Sequence, residues 1–243
     1  MHNNQRGKVF LLPMLLHEEG WSSIPADMIQ WIQQCDAFFV ENEKTTRRYF
    51  KKIWKEMIID NYQWFPIHKV EEAQIKHFLN LLSEGKNIGI VSEAGCAGIA
   101  DPGQILIAAA QQTQTQVKPY TGPNSILLAL MASGMNGQLF QFHGYLPIDN
   151  AERKKKIQSL EADCKQRGCT QIFIETPYRN NQLLEAFIQC CHPSTLVCIG
   201  VDITGPSENI ITAPLSYWKN NKPELHKKLA VFLMAVPNGL AYT

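Results

Sequence analysis

Ile88-Gly89-Ile90-Val91-Ser92-Glu93-Ala94-Gly95-Cys96-Ala97-Gly98-Ile99-Ala100-Asp101-Pro102-Gly103 passes from a short apolar run straight into a bend of small residues. A run with no alternation of polarity describes a strand covered on both faces, as in the parallel sheet of an α/β protein. The bend holds Gly95, Gly98 and Gly103, two acids and a proline. Glycine takes backbone angles closed to other residues and lets a ligand approach main-chain groups closely. The spacing is neither G-x-G-x-x-G nor G-x-x-x-x-G-K-[ST], which excludes two common phosphate loops. A tight turn with a helix cap at Asp101-Pro102 accounts for the same composition, so both readings stand on these residues alone.

Working outward, similar apolar runs occur at Val9–Leu12, Ala37–Val40, 172–174, Leu196–Val201 and 229–234, with a short further strand at 117–120. Between them, 24–34, 71–82, 105–112, 125–133, 151–165 and 181–190 carry helical spacing. The alternation predicts an α/β protein with a mainly parallel sheet in each of two lobes. The turn cluster Tyr120-Thr121-Gly122-Pro123-Asn124 predicts the boundary, giving lobes 1–120 and 121–243, and 134–147 reads as a connection. In open parallel sheets ligands bind where strands end and loops begin, so those loops are the places to look for chemistry.

Composition bounds the partners. The chain has 243 residues, 45% hydrophobic and 19% charged, with a net charge of +1. That describes a globular protein with no global attraction to nucleic acid, although a local basic patch is enough to engage phosphates. Seven cysteines, an odd number, form no C-x-x-C pair and no zinc-finger set with histidine, so reduced thiols in a cytoplasmic protein are expected and no metal site. Arg6 and Lys8 before the apolar run 9–16 imitate a secretory signal, but Pro13 interrupts it and His17-Glu18-Glu19 stands where small residues would be needed. A buried first strand is the reading adopted. No run approaches the ~20 apolar residues of a membrane span, so no membrane partner is expected.

Four further segments draw attention. Asn124 or Ser125 precedes the apolar helix 126–131, where capping alone is a sufficient role. The strand 172–174 ends in Glu175-Thr176-Pro177-Tyr178-Arg179, an acid and a base that form either a site or a plain ion pair. Basic residues cluster at Lys44, Arg47, Arg48, Lys51, Lys52 and Lys55, and again at Arg153, Lys154, Lys155 and Lys156. Either cluster suits RNA phosphates or a solvated helix face. No Ser-His-Asp or Cys-His set stands out.

Taken in order, these segments resemble the tetrapyrrole methylase superfamily, and within it the branch of small-subunit ribosomal RNA 2′-O-methyltransferases. Residues 91–103 are similar to the family's V-S-D-A-G-T-P-x-I-x-D-P-G, and Gly122-Pro123-Asn124-Ser125 to its G-P-[CS]-[AS]. Phe142-His143-Gly144-Tyr145-Leu146-Pro147 is similar to F-x-G-F-L-P, and 173–179 to F-[FY]-E-[ST]-P-x-R. The similarity runs over roughly residues 9–234, and four segments in the right order are far more specific than any one.

The resemblance implies a two-lobed fold with the methyl donor, S-adenosylmethionine, held in a cleft between the lobes. Carried across by position, the donor site would include Pro13, Glu93, Gly95, Cys96, Gly98, Asn124, Ser125, Glu175 and Ala213. Backbone groups around Gly95–Gly98 and the Asn124-Ser125 turn would hold the donor, and the acceptor would enter beside the basic helix 44–55. Transfer from a sulfonium depends mainly on positioning the reactants, and a base is needed only for a poorly acidic acceptor such as a ribose hydroxyl. Glu93, Asp101 and Glu175 are the candidates for that base. A homodimer and a ribosomal small-subunit RNA substrate, at a cytidine ribose of the decoding region, are implied too.

The chain departs from the branch in places. The branch reads P-T-P-I-G-N-L after its first strand, whereas Pro13 is followed here by Met14-Leu15-Leu16-His17-Glu18-Glu19-Gly20. Glu41-Asn42-Glu43-Lys44-Thr45 stands where E-D-T-R is usual, and Lys227-Lys228-Leu229 replaces K-G-E. A methyltransferase of a tetrapyrrole or other small molecule, and a paralogue that binds the donor without transferring methyl, therefore remain alternatives.

Overall fold

The computed structural model describes residues 6–67 and 71–237, in two compact units that divide between Asn124 and Ser125. The first contains β1 (Val9–Leu12), α1 (Met28–Gln33), β2 (Ala37–Val40), α2 (Glu43–Ile53), β3 (Gln63–Pro66), α3 (Glu72–Ser83), β4 (Ile88–Val91), α4 (Gly103–Gln112) and β5 (Val117–Pro119). Its strands form one sheet in the order β3-β2-β4-β1-β5, and every pairing is parallel.

The unbroken apolar runs follow from burial on both faces. Val9, Ala37, Phe39, Ile88 and Ile90 pack on one side with Phe78, Leu82 and Leu106 from α3 and α4. Phe10, Leu12, Phe38, Val40 and Val91 pack on the other with Met28, Ile32, Tyr49 and Phe50 from α1 and α2. Gly89 makes room for this second layer, because a β-carbon there would lie 2.6 Å from the Phe38 ring.

The second unit contains α5 (Ser125–Ser133), β6 (Phe140–Phe142), α6 (Asn150–Arg167), β7 (Thr170–Ile174), α7 (Asn180–Cys190), β8 (Leu196–Val201), β9 (Asn209–Pro214), α8 (Leu215–Asn220) and β10 (Ala230–Ala235). The sheet order is β6-β7-β10-β8-β9. Here the expectation of a mainly parallel sheet needs correction. Only β6–β7 is parallel; β7–β10, β10–β8 and β8–β9 are antiparallel. The physical reason is coverage: α5 packs against β8, β9 and β10, while α6 packs against β7 and β10. Central strands with helices around them read as continuous apolar runs whichever way they point. The segment 134–147, expected to be a plain connection, contains the edge strand β6.

Local signals set the helix ends. The Asn42 side chain accepts from the Thr45 N–H at 3.1 Å and caps α2, and Asp149 caps α6 through the Glu152 N–H at 2.9 Å. Gly168 closes α6 in the left-handed conformation at φ 64°. Among the described residues, no helix is long and apolar enough to cross a membrane.

Candidate functional site

In the first sheet, the connection leaving β2 runs outward to β3 while the one leaving β4 runs the opposite way to β5. The divergence leaves a crevice at the carboxyl ends of these neighbouring strands, the usual ligand position in open parallel sheets. A cavity of about 330 Å³ lies there, lined by the chain after β1 (Met14, Leu15, Leu16, His17, Glu18, Trp21), by α2 (Thr45, Arg48, Tyr49, Lys52) and by Glu93-Ala94 after β4.

The bend after β4 is tied down at every step. The Glu41 N–H donates to Val91 C=O at 3.1 Å, and the Glu93 N–H donates to the Glu41 carboxylate at 2.7 Å. The Glu93 backbone is thereby fixed to the end of β2, while the residue itself is exposed and lines the cavity. Gly95, at φ 72°, forms an antiparallel bridge with Met14: the Met14 N–H donates to Gly95 C=O at 2.8 Å and the Gly95 N–H to Met14 C=O at 3.2 Å. Gly95 thereby joins the loop after β1 to the loop after β4.

Gly98 behaves similarly. At φ 84° it donates its N–H to Asp101 Oδ2 at 2.6 Å, while Asp101 Oδ1 accepts from the Gly103 N–H at 2.7 Å, at the start of α4. Burial raises the Asp101 carboxyl pKa, and the backbone bonds offset part of that rise. With both carboxylate oxygens engaged, Asp101 organises the bend. Asp101→Ala is expected to cost about 2 kcal/mol, read as a lower urea midpoint, because two backbone donors lose a charged acceptor. An unchanged midpoint would remove this role.

Around the bend, the Cys96 Sγ lies 3.6 and 3.4 Å from the carbonyl oxygens of Gly122 and Pro123. Burial raises the Cys96 thiol pKa, and a hydrogen bond from Asn124 acts in the opposite sense. The Tyr49 hydroxyl donates to Pro13 C=O at 3.1 Å, and burial raises its pKa. Pro13, Glu93, Gly95, Cys96, Gly98 and Asn124 thus belong to one hydrogen-bonded and packed assembly at the strand ends.

The remaining expected site residues lie in the second unit. Ser125 opens α5, Glu175 follows β7, and Ala213 lies in β9, separated from β7 by β10 and β8. The Glu175 side chain is 1% exposed; its Oε1 accepts from Arg179 Nε at 2.9 Å, Arg179 Nη2 at 2.6 Å and the Thr176 N–H at 2.6 Å. Its charge is committed to Arg179.

The basic clusters divide by function. Arg47 pairs with Glu43 at 2.7 Å and lies over Trp64, and Lys51 donates to the carbonyls of Lys55 and Met57, so both serve the helix. Arg48 and Lys52 face the cavity and make no ion pair among the described residues. In the second cluster Arg153 is buried, its guanidinium bonded to Ile148 C=O at 3.1 Å and Asn150 Oδ1 at 3.2 Å. Trp21 and Tyr49 are cavity residues that the sequence reading overlooked. The i, i+3, i+4, i+7 spacing of Thr45, Arg48, Tyr49 and Lys52 was the available signal for a shared face.

No family model matches the chain. It is 27% identical over 214 residues to the ribosomal RNA small subunit methyltransferase I of Escherichia coli O157:H7, covering 88% of this chain and 71% of that protein. The enzyme of the same name from Vibrio cholerae is 33% identical over 153 residues, covering 63% of this chain but only 52% of that protein. Among solved structures, the methyltransferase CobJ superposes with a TM-score of 0.62 at 17% identity, covering 95% of this chain and 94% of that one, and so shares its fold. The chain thus has the fold of a methyltransferase of known structure and is distantly similar in sequence to the small-subunit ribosomal RNA methyltransferases I.

Proposed function

We propose that this chain is an S-adenosylmethionine-dependent methyltransferase whose acceptor is a ribose 2′-hydroxyl of small-subunit ribosomal RNA. The observation that carries this reading is the cavity at the strand ends, lined by the exposed cations Arg48 and Lys52 and by Glu93. Cations lining a cavity suit the phosphates of a polynucleotide, and a carboxylate beside them suits a hydroxyl that must lose its proton.

The bend after β4 fits a sulfonium donor. No Lys or Arg occurs between Lys86 and Lys118, and the side chains from Ala94 to Gly98 are all small. Pro13, Gly95, Cys96, Gly98 and Asn124 would hold the donor from this unit. The bound donor supplies an electrophilic methyl group on sulfur. Of the chain's own groups, Glu93 takes the hydroxyl proton as the ribose oxygen attacks, since Asp101 and Glu175 are committed elsewhere. Arg48 and Lys52 hold the flanking phosphates.

A cytoplasmic location agrees with the free cysteines, of which Cys35, Cys164, Cys169 and Cys198 are buried. A homodimer would cover α5, an apolar helix that leaves Met131 79% exposed.

Incubation with radiolabelled donor and undermodified small ribosomal subunits tests the function. A single labelled 2′-O-methyl nucleotide is the expected result. Label that goes instead to a porphyrinoid, or to neither acceptor despite donor binding, would overturn it.

A further inference from the structure

Trp21 is held in the cavity between two partners. One is the Tyr49 ring, stacked with centroids 5.8 Å apart and planes at 26°; the other is the Lys52 ammonium, 5.5 Å from the indole centroid. Lys52 is exposed and makes no ion pair among the described residues, and its ammonium lies against the indole. An exposed cation–π contact is weak, and a phosphate attracts an ammonium more strongly. Arg48, one turn back on the same face, is equally open.

We infer that Trp21 and Lys52 form a displaceable pair that admits one unstacked nucleotide of the acceptor RNA. A phosphate draws Lys52 off the indole, and the neighbouring base takes the vacated face. Base–aromatic stacking tolerates any base, so the pair selects for an unstacked state and not for a sequence. Size points the same way. About 330 Å³ is at the small end of ligand sites, enough for one nucleoside but not a stacked run. Trp21 also directly follows Met14–Gly20, the segment that departs from the ribosomal RNA branch. The inference rests on the RNA reading above.

The test compares a fluorescein-labelled, mixed-sequence single-stranded oligoribonucleotide with its own duplex by anisotropy, across a salt series. The native protein is expected to prefer the single strand. Trp21→Ala should weaken single-strand binding about tenfold and erase the preference, while Trp21→Tyr keeps it. Lys52→Met should retain the preference and lower the salt slope by about one. Equal binding of both forms by the native protein overturns the pair. So does an unchanged preference in Trp21→Ala, or an equal loss in Trp21→Tyr, which would mark a packing role. Should Trp21→Ala fail to fold, the native preference and the Lys52→Met slope decide. Methyl transfer to subunit RNA without any single-strand preference defeats this inference alone; no RNA binding and no transfer defeats both readings.

Discussion

Glu93→Gln is expected to slow methyl transfer about 10²- to 10⁴-fold, the usual contribution of a positioned general base, with the acceptor KM unchanged. The substitution keeps the size of the side chain and removes only its capacity to take a proton. The backbone should not move, because the Glu93 N–H is anchored on the Glu41 carboxylate at 2.7 Å and the Ser92 hydroxyl donates to Ala94 C=O at 3.0 Å. Asp101→Asn and Glu175→Gln are the informative comparisons. Asp101 holds the N–H groups of Gly98 and Gly103, and Glu175 holds Arg179, so both changes should lower stability more than the rate of the chemical step. Single-turnover rates with saturating donor separate these outcomes. A native rate in Glu93→Gln would strip this residue of its proposed role.

Gly122→Ala carries the second large effect, a loss of about 3 kcal/mol in the stability of the first unit, at the upper end of ordinary overpacking costs. A β-carbon at Gly122 would lie 2.0 Å from Pro13 Cβ and 2.9 Å from Pro13 Cγ. Pro13 cannot swing away. Its ring is rigid, its carbonyl accepts from Tyr49, and the next residue is bridged to Gly95. Relief would have to come from separating the loop after β1 from the turn at 122–124. Gly137 offers a control, since a β-carbon there meets nothing within 4 Å and Gly137→Ala should stay within about 0.5 kcal/mol of native. Urea unfolding of both variants measures the difference, and equal midpoints would contradict the close approach.

The strands β1, β2, β4 and β8 were legible to the residue, because each is an apolar run buried on both faces. The strands β3, β6 and β9 were not. All three lie at sheet edges, with exposed or alternating residues such as Gln63, Gln141 and Ile211, and their pairing depends on distant partners. Strand direction in the second sheet was hidden for a related reason, since helix cover on both sides makes antiparallel strands read like parallel ones. At the site, the bend 93–103 was legible as a place, but the use of its polar groups was not. Gly95 reaches Met14 across the sheet, a contact no local pattern records. The basic stripe 44–55 was visible too, yet only packing against Trp64 and the helix end separates Arg47 and Lys51 from Arg48 and Lys52.

The central claim is that the acceptor reacts at the cavity ringed by Trp21, Arg48, Lys52 and Glu93. Its most direct test is ultraviolet crosslinking of the protein to undermodified small-subunit RNA in the presence of the demethylated donor product, followed by mapping of the crosslinked peptides. Crosslinks on Trp21 and on the α2 segment containing Arg48 and Lys52 are predicted. Crosslinks confined to other surfaces, with this cavity unmarked, would contradict the account.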